Sequence, residues 1–275
     1  MFKLLIDTTD EKGLVYKISK ILYQYNLNIE NNAEYVDKEK NKFFMRTVIS
    51  GDFNKQNLLQ DIKNILPQNA TIKLSPNSKK DIVILATKEA HCLGDILIRY
   101  ISGEINANIK AVIANHTILE DLVMKFNIPF VCVSHENLSR EEHEQKMIET
   151  IDQYNPELIV LAKYMRILNK EFVNHYKNKI LNIHHSFLPA FIGANPYKQA
   201  HQRGVKIIGA TAHYVTSDLD EGPIISQDIV RIDHTYSWQD MRDAGRNVEK
   251  IVLSNALNLL LEDKVFLYDN KTVIL

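Results

Sequence analysis

The sequence predicts a two-domain α/β protein, in which a ferredoxin-like α+β domain precedes a doubly wound domain with a mostly parallel sheet. Before residue 75 the patterns follow the order strand, helix, strand, strand, helix, strand, whereas after residue 80 short apolar runs alternate with helical patterns. The patch Leu74-Ser-Pro-Asn-Ser-Lys-Lys80 between them is rich in residues that favour turns. We therefore place the first domain at 1–77 and the second at 80–275.

The first domain reads as two helices on one face of a four-stranded antiparallel sheet. Its strand segments are apolar runs or alternate polar and apolar side chains, and its helical segments repeat apolar residues every three or four positions. The predicted strands are Phe2–Asp7, Asn28–Asp37, Asn41–Ser50 and Ala70–Leu74, and the helical stripes are Leu14–Tyr25 and Leu58–Leu66.

The second domain contains apolar runs short enough for strands that are buried on both faces of a parallel sheet. Helical patterns lie between these runs, and the one that opens at Ser139-Arg-Glu-Glu142 has the spacing of a capping box. The predicted strands are Ile82–Leu85, Ile109–Ile113, Phe130–Val133, Leu158–Leu161, Lys179–Ile183 and Val205–Val215. The predicted helices are Leu93–Ile101, Leu119–Phe126, Ser139–Tyr154 and Trp238–Asp263.

Composition excludes several classes of protein. The net charge of −1 offers no basic face for nucleic acid, and no apolar run approaches the roughly 20 residues that span a bilayer. The N-terminus lacks the layout of a signal peptide, and the two cysteines, Cys92 and Cys132, form no Cys-x-x-Cys motif. These features predict a cytoplasmic enzyme without disulfides.

Polar side chains that suit attack on a carbonyl lie at the ends of two neighbouring apolar segments. Asn182 and His184 are two apart on a strand and therefore share a face, and Asp220 follows the next strand. Together they can donate, transfer and accept protons. Each residue alone is better explained structurally, as a strand-end amide, a buried imidazole or a polar turn. Their order and flanking segments favour catalysis.

Other types of site are not indicated by the sequence. Ser186 shares a face with His184, but no Gly-x-Ser-x-Gly elbow surrounds it. No spacing of histidine, cysteine and glutamate typical of a metal site occurs, so we predict no metal and no cofactor. The turn Ala86-Thr-Lys-Glu-Ala-His-Cys-Leu-Gly94 is neither a Walker loop nor a dinucleotide turn.

The motifs Asn182-Ile-His-His-Ser-Phe-Leu-Pro189, Gly209–Val215 and Asp218–Gln227 resemble the formyl transferase family of folate enzymes. The resemblance implies that Asn182, His184 and Asp220 surround the formyl group of 10-formyltetrahydrofolate. It also implies one wall of a pteridine pocket after the fourth strand and another in the loop before Asp220. The substrate-binding residues implied are Met165, Arg166, Ile167, Leu168, His185, His213, Thr216 and Asp218. We expect His213 to brace the carboxylate loop, and His185 either to contact the substrate or to pack.

Within this family the chain resembles the formyltetrahydrofolate deformylases. His185 stands where the glycinamide ribonucleotide transformylases have proline, and Lys88-Glu-Ala-His-Cys-Leu93 replaces their phosphate loop. The stretches Ala114–His116 and Val133–His143 also match deformylases, and a separate domain precedes the catalytic one. The resemblance implies hydrolysis of 10-formyltetrahydrofolate to tetrahydrofolate and formate, which supplies formate for purine synthesis.

The turn at Asp10-Glu-Lys-Gly13-Leu14 makes the first domain resemble an ACT domain. That resemblance implies a small amino-acid effector, such as methionine or glycine, at Asp10, Gly13 and Leu14. It also implies a homo-oligomer formed through sheets or helices. The structural alternative is that Gly13 only eases a tight turn.

Two other functions remain open from the sequence. The first is a formyltransferase to glycinamide ribonucleotide or to methionyl-tRNA, which the missing phosphate loop and the missing basic C-terminal domain disfavour. The second is a non-catalytic amino-acid sensor that retains a folate pocket, which an intact Asn182, His184 and Asp220 disfavours.

Overall fold

The computed structural model describes residues 1–190 and 195–275, which form two compact units. One unit joins Met1–Ser78 to the C-terminal segment Asp263–Leu275, and the other comprises Lys79–Glu262. Within the described ranges no helix is long and apolar enough to cross a bilayer.

The first unit contains the predicted ferredoxin-like arrangement. Its sheet has the order β2-β3-β1-β4 with antiparallel neighbours throughout, and α1 and α2 follow the first and third strands. Leu14, Ile18 and Leu22 of the first helix are buried in one stripe, as the helical spacing predicts. The elements are β1 Phe2–Thr9, α1 Leu14–Gln24, β2 Asn28–Asp37, β3 Lys42–Ser50, α2 Lys55–Ile65 and β4 Thr71–Pro76.

A C-terminal hairpin belongs to this first unit, which corrects the predicted boundary of 80–275. Phe266 of the hairpin packs edge-on against Phe44, with ring centroids 5.7 Å apart. Asp263 accepts hydrogen bonds from Lys3 at 3.3 Å and from Lys73 at 3.0 Å. Aromatic burial and these charge-assisted hydrogen bonds attach the segment to the sheet of the first unit. The two strands, β12 Val265–Tyr268 and β13 Lys271–Ile274, were not predicted.

The second unit contains the predicted doubly wound domain, built on a seven-stranded sheet. The strand order is β11-β10-β9-β8-β5-β6-β7, and the five strands from β9 to β7 are parallel. β10 pairs antiparallel with both β9 and β11. The strands are β5 Lys80–Ala86, β6 Ala107–Ala114, β7 Phe130–Cys132, β8 Leu158–Leu161, β9 Ile180–His184, β10 Ile207–Tyr214 and β11 Ile224–Arg231.

Within the described ranges, the helices of the second unit include the four that the sequence predicts and two more. The predicted capping box is present, since Ser139 accepts from the backbone N–H of Glu142 and Glu142 accepts from that of Ser139. The long C-terminal helix ends two residues earlier than predicted. The helices are α3 His91–Ile101, α4 Glu120–Met124, α5 Arg140–Asp152, α6 Lys170–His175, α7 Pro196–Arg203 and α8 Trp238–Leu261. Of these, α6 and α7 were not predicted.

Candidate active site

The candidate site lies where β8 and β9 end, at the carboxyl edge of the parallel sheet, where open α/β sheets bind ligands. The antiparallel register of β9 and β10 places His213 opposite Asn182. The loop after β10 then returns Asp220 to the end of β9. These elements enclose a cavity of about 280 Å³, here called the first cavity. Every residue predicted for catalysis or folate binding lines it: Asn182, His184, Asp220, Met165, Arg166, Ile167, Leu168, His185, His213, Thr216 and Asp218.

Asp220 and His184 form the central pair of the site. His184 Nδ1 lies 3.3 Å from Asp220 Oδ2, and both side chains are at least nine-tenths buried. His184 Nε2 is buried and meets no hydrogen-bond partner among the residues that the structure describes. Because Nδ1 donates to the carboxylate, Nε2 is the nitrogen that a substrate can meet.

The electrostatic environment keeps the Asp220 carboxylate ionised. Burial alone would raise the pKa of Asp220, but the hydrogen bond and the charge of His184 outweigh burial, and the pKa lies below its ordinary value of 3.8. The Asp220 backbone is left-handed, with φ 57°, a conformation that aspartate and asparagine tolerate better than most residues. The turn thereby aims a charged carboxylate into the cavity.

His213 orients Asn182 and is not itself charged. His213 Nδ1 lies 2.9 Å from the carbonyl oxygen of Tyr214, and Nε2 lies 3.2 Å from Asn182 Nδ2. Burial lowers the pKa of His213, so the ring is neutral at pH 7 and its Nε2 accepts from the Asn182 amide. His213 Nε2 also lies 3.7 Å from Asp220 Oδ1, but a neutral ring forms no ion pair there. The second N–H of Asn182 is therefore left for the cavity.

The mouth of the first cavity is apolar. Met165 and Ile167 each expose 57% of their surface, and Leu219 of the opposite loop exposes 53%. The wall containing Met165 is anchored by two hydrogen bonds. The backbone N–H of Met165 donates to Thr87 Oγ1 at 3.0 Å, and the carbonyl oxygen of Ile167 accepts from Arg140 at 2.7 Å. Exposed apolar side chains on two opposite walls, one of them anchored, suit a flat aromatic ring.

Gly222 holds the Asp220 loop against β10, which predicts a severe effect of adding one methyl group. A Cβ at Gly222 would lie 1.7 Å from the carbonyl oxygen of Tyr214, so Gly222→Ala must displace the loop. We expect kcat/KM to fall by about 10²-fold, since a misplacement near 1 Å costs that much. Gly94→Ala in helix α3 is the matched control, because a Cβ there meets no atom within 4 Å among the described residues outside its own turn of helix. Equal steady-state rates for the two variants would contradict the prediction.

A buried ionic network, which was not predicted from the sequence, lies beside the first cavity. Glu249 of α8 is 1% exposed and accepts from Tyr197 Oη at 2.6 Å, from His91 Nε2 at 2.8 Å and from Lys163 Nζ at 3.2 Å. Gly245, one helical turn earlier, permits this contact, since a Cβ there would lie 2.1 Å from Tyr197 Oη. Lys163 carried a usable signal, because it is a charged residue only two positions after the buried strand Leu158–Leu161. Glu249 lies within a long helical pattern and carried none.

The same region brings together the ligand atoms of His91, Cys92 and Glu249 within 4.8 Å. Metal binding is disfavoured there, because Lys163 already neutralises Glu249. Burial raises the pKa of the Cys92 thiol well above its usual value, so forming the thiolate that a metal needs costs additional free energy. The absence of a metal remains a prediction.

The proposed effector residues lie at the β1–α1 turn of the first unit. Gly13 has φ 85° and caps α1, and the space around its missing Cβ is open to 4 Å. The Leu14 side chain is 2% exposed and packs in the core of that unit. Asp10 is held by its backbone N–H, which donates to the carbonyl of Asn41 at 2.9 Å. The turn thus has an open backbone surface at Gly13, and effector binding stays a prediction.

Comparison with known proteins gives the family of this chain. The sequence model of the formyl transferase family matches residues 80–257. A formyltetrahydrofolate deformylase from Haemophilus influenzae is 57% identical over 272 residues, which cover 99% of this chain and 98% of that protein. The crystal structure of a formyltetrahydrofolate deformylase from Pseudomonas syringae is 38% identical, with a TM-score of 0.95 over 99% of this chain and 93% of that one.

Transferases of the same fold are more distant. The structure of glycinamide ribonucleotide transformylase 1 from Symbiobacterium toebii is 27% identical, with a TM-score of 0.69, and covers 74% of this chain and 98% of its own. The chain therefore belongs to the formyl transferase family and, within it, to the formyltetrahydrofolate deformylases.

Proposed function

We propose that this protein hydrolyses 10-formyltetrahydrofolate to tetrahydrofolate and formate. The observation that carries the proposal is the buried pair of His184 and Asp220, placed beside Asn182 in a cavity with an apolar mouth. Membership of the deformylase family supports the same reaction. We further propose a cytoplasmic location and a role in balancing one-carbon folate pools and supplying formate for purine synthesis.

The proposed reaction begins with attack of water on the formyl carbon. Asp220 Oδ2 accepts the hydrogen bond from His184 Nδ1. The other carboxylate oxygen, Oδ1, therefore orients the water and accepts a proton from it. The free N–H of Asn182 and the Nε2–H of the protonated His184 ring, which is paired with Asp220, stabilise the tetrahedral oxyanion. A proton then reaches N10, the carbon–nitrogen bond breaks, and tetrahydrofolate and formate result. We assign the donation to N10 to His184.

The binding of the folate is proposed to use both walls of the first cavity. The backbone of Met165 to Leu168 pairs with the pteridine ring, and Arg166 carries a positive charge beside that ring. Thr216 and Asp218 form the opposite wall, where Thr216 Oγ1 donates to the carbonyl of Asp218 at 3.1 Å and shapes the loop.

The hydrolysis is tested by incubating the protein with 10-formyltetrahydrofolate in the absence of any acceptor. Stoichiometric release of formate and tetrahydrofolate is the expected result. Turnover that starts only when glycinamide ribonucleotide is added would instead establish the transferase alternative. Folate binding without either reaction would establish the non-catalytic sensor.

Asn182 provides a prediction about stabilisation of the oxyanion. We expect Asn182→Ala to lower kcat by about 10²-fold, as the removal of one oxyanion donor does. Asn64→Ala, in an exposed position of α2, is the matched control and should retain the native kcat. A rate for Asn182→Ala within threefold of the native rate would contradict the assigned role.

For the first unit we propose an ACT-like regulatory role, with a small amino acid bound at the turn of Asp10, Gly13 and Leu14. The support is the open backbone surface at Gly13 and the resemblance of this turn to ACT domains. We also propose a homo-oligomer. Titration with methionine and with glycine, followed by thermal unfolding and by formate release, tests the effector, and light scattering tests the oligomer.

A further inference from the structure

A second cavity, of about 390 Å³, adjoins the first. Lys163, Met165 and His185 line both cavities. His185 follows the catalytic His184 directly, and the centroids of the two rings lie 5.2 Å apart. On its other side His185 faces Tyr197, which lines the second cavity, at a centroid distance of 6.0 Å. The two cavities thus meet at a wall that lies one residue away from the proposed reaction centre.

The second cavity extends from the protein core to the surface. At its inner end the side chains of Lys163 and Glu249 are 4% and 1% exposed. Towards solvent the side chain of Arg246 is 36% exposed, and Lys198 is exposed. Trp238 stands at this outer end, with Lys198 Nζ 4.8 Å from its ring centroid.

Cations outnumber carboxylates along the second cavity. Glu249 pairs with Lys163 at 3.2 Å and Glu89 pairs with Arg246 at 3.0 Å, so the charges within these two pairs cancel. Lys198 and Arg242 are the remaining cations of the lining. Asp243, which does not line the cavity, bonds both Arg242 and Arg246. The charged groups that line it are the cations Lys163, Lys198, Arg242 and Arg246 and the carboxylates Glu89 and Glu249. The first cavity is lined by two cations, Lys163 and Arg166, and two carboxylates, Asp218 and Asp220. An anion is therefore favoured in the second cavity over the first.

His185 at the shared wall is a polar group without charge. Burial and the nearby ammonium of Lys163 lower its pKa to about 4, so the ring is neutral at pH 7. A neutral imidazole can both donate and accept a hydrogen bond. It can therefore pass a small anion or a water molecule without holding it as an ion pair.

We propose that formate leaves through the second cavity while tetrahydrofolate still occupies the first. This inference rests on the proposed hydrolysis, in which one water and one formyl group yield formate, the free N10 amine and a proton. The bulky folate occupies the apolar mouth of the first cavity when formate is produced. Formate is small and negatively charged, and the cationic second cavity begins beside the residue that follows His184.

The order of product release tests this inference. If formate leaves first, sodium formate inhibits noncompetitively with respect to 10-formyltetrahydrofolate, and tetrahydrofolate inhibits competitively. If formate must wait for tetrahydrofolate, formate becomes the competitive inhibitor, and that result would overturn the proposal. The absence of any formate release would instead refute the hydrolysis itself, so the two failures are distinguishable.

A variant and a direct probe locate the bound anion. Arg242→Gln is expected to raise the inhibition constant for formate at least threefold, whereas Arg231→Gln, at a position outside both cavities, leaves it unchanged.

Fluorescence gives a direct probe of the same cavity. Trp238 is the single tryptophan of the chain, so its fluorescence reports on the second cavity. Sodium formate should change this fluorescence, and sodium chloride at equal ionic strength should not. An unchanged signal together with an unchanged inhibition constant would overturn the assignment.

Discussion

The Asp220→Asn variant is expected to lose about 10³-fold in kcat with little change in KM for 10-formyltetrahydrofolate. Asparagine has the same shape as aspartate and tolerates the left-handed backbone at this position, where φ is 57°. The loop and the folate walls therefore stay in place. What is lost is the negative charge that holds His184, 3.3 Å away, and that accepts the proton of the attacking water. Such a loss affects the transition state more than substrate binding.

The pH dependence follows from the direction of the Asp220 pKa. Because that pKa lies below its ordinary value of 3.8, the carboxylate is ionised at every pH above about 4. Protonation of Asp220 therefore does not limit the rate between pH 5 and pH 8.

The control for Asp220→Asn is Asp228→Asn. Asp228 is an exposed carboxylate on β11, so this variant should retain the native kcat. A kcat for Asp220→Asn within tenfold of the native value would remove Asp220 from the mechanism.

The Glu249→Gln variant is expected to lower the free energy of unfolding by about 3 kcal/mol at pH 7. Glutamine preserves the shape of the side chain, but the Lys163 ammonium, 4% exposed, then lacks its countercharge. Asp243→Asn on the same helix is the matched control, because that carboxylate is 59% exposed and its arginine partners are more than a third exposed. Exposed pairs of this kind contribute at most about 1 kcal/mol.

Acid titration gives the same interaction a second test. Burial tends to raise the pKa of Glu249, but the hydrogen bond from His91, the charge of Lys163 and the hydrogen bond from Tyr197 together lower it to about 2. A depressed carboxylate pKa stabilises the fold above the unfolded value of about 4.5, and this contribution is lost as the pH falls towards 2. Native protein should therefore lose more stability between pH 4.5 and pH 2 than Glu249→Gln. Equal acid sensitivity in chemical denaturation would contradict the prediction.

The regular elements were predictable where apolar periodicity extends over many residues. The ferredoxin-like order follows from such periodicity, whereas the buried parallel strands follow from short, continuous apolar runs. The short helices Lys170–His175 and Pro196–Arg203 have too few turns to produce a stripe. The hairpin of Val265–Tyr268 and Lys271–Ile274 was assigned to the wrong unit, because its position depends on Phe44 and Lys3, more than 200 residues away in sequence.

The apolar and helical patterns were enough to predict the fold class, and the motifs around Asn182, His184 and Asp220 were enough to predict the family and to nominate these three residues. Asn182 and His184 lie at the end of a buried strand, where open α/β sheets bind ligands. Because β10 runs antiparallel to β9, however, only the loop that follows β10 brings Asp220 back to that edge. The geometry and protonation of these groups depend on tertiary contacts that no pattern in the sequence contains. Asp220 Oδ2 lies 3.3 Å from His184 Nδ1, and Asp220 Oδ1 lies 3.7 Å from His213 Nε2. Burial makes His213 and His185 neutral. The ionic network and the second cavity also depend on contacts between residues distant in sequence, since the energy of a buried charge is set by its neighbours in space.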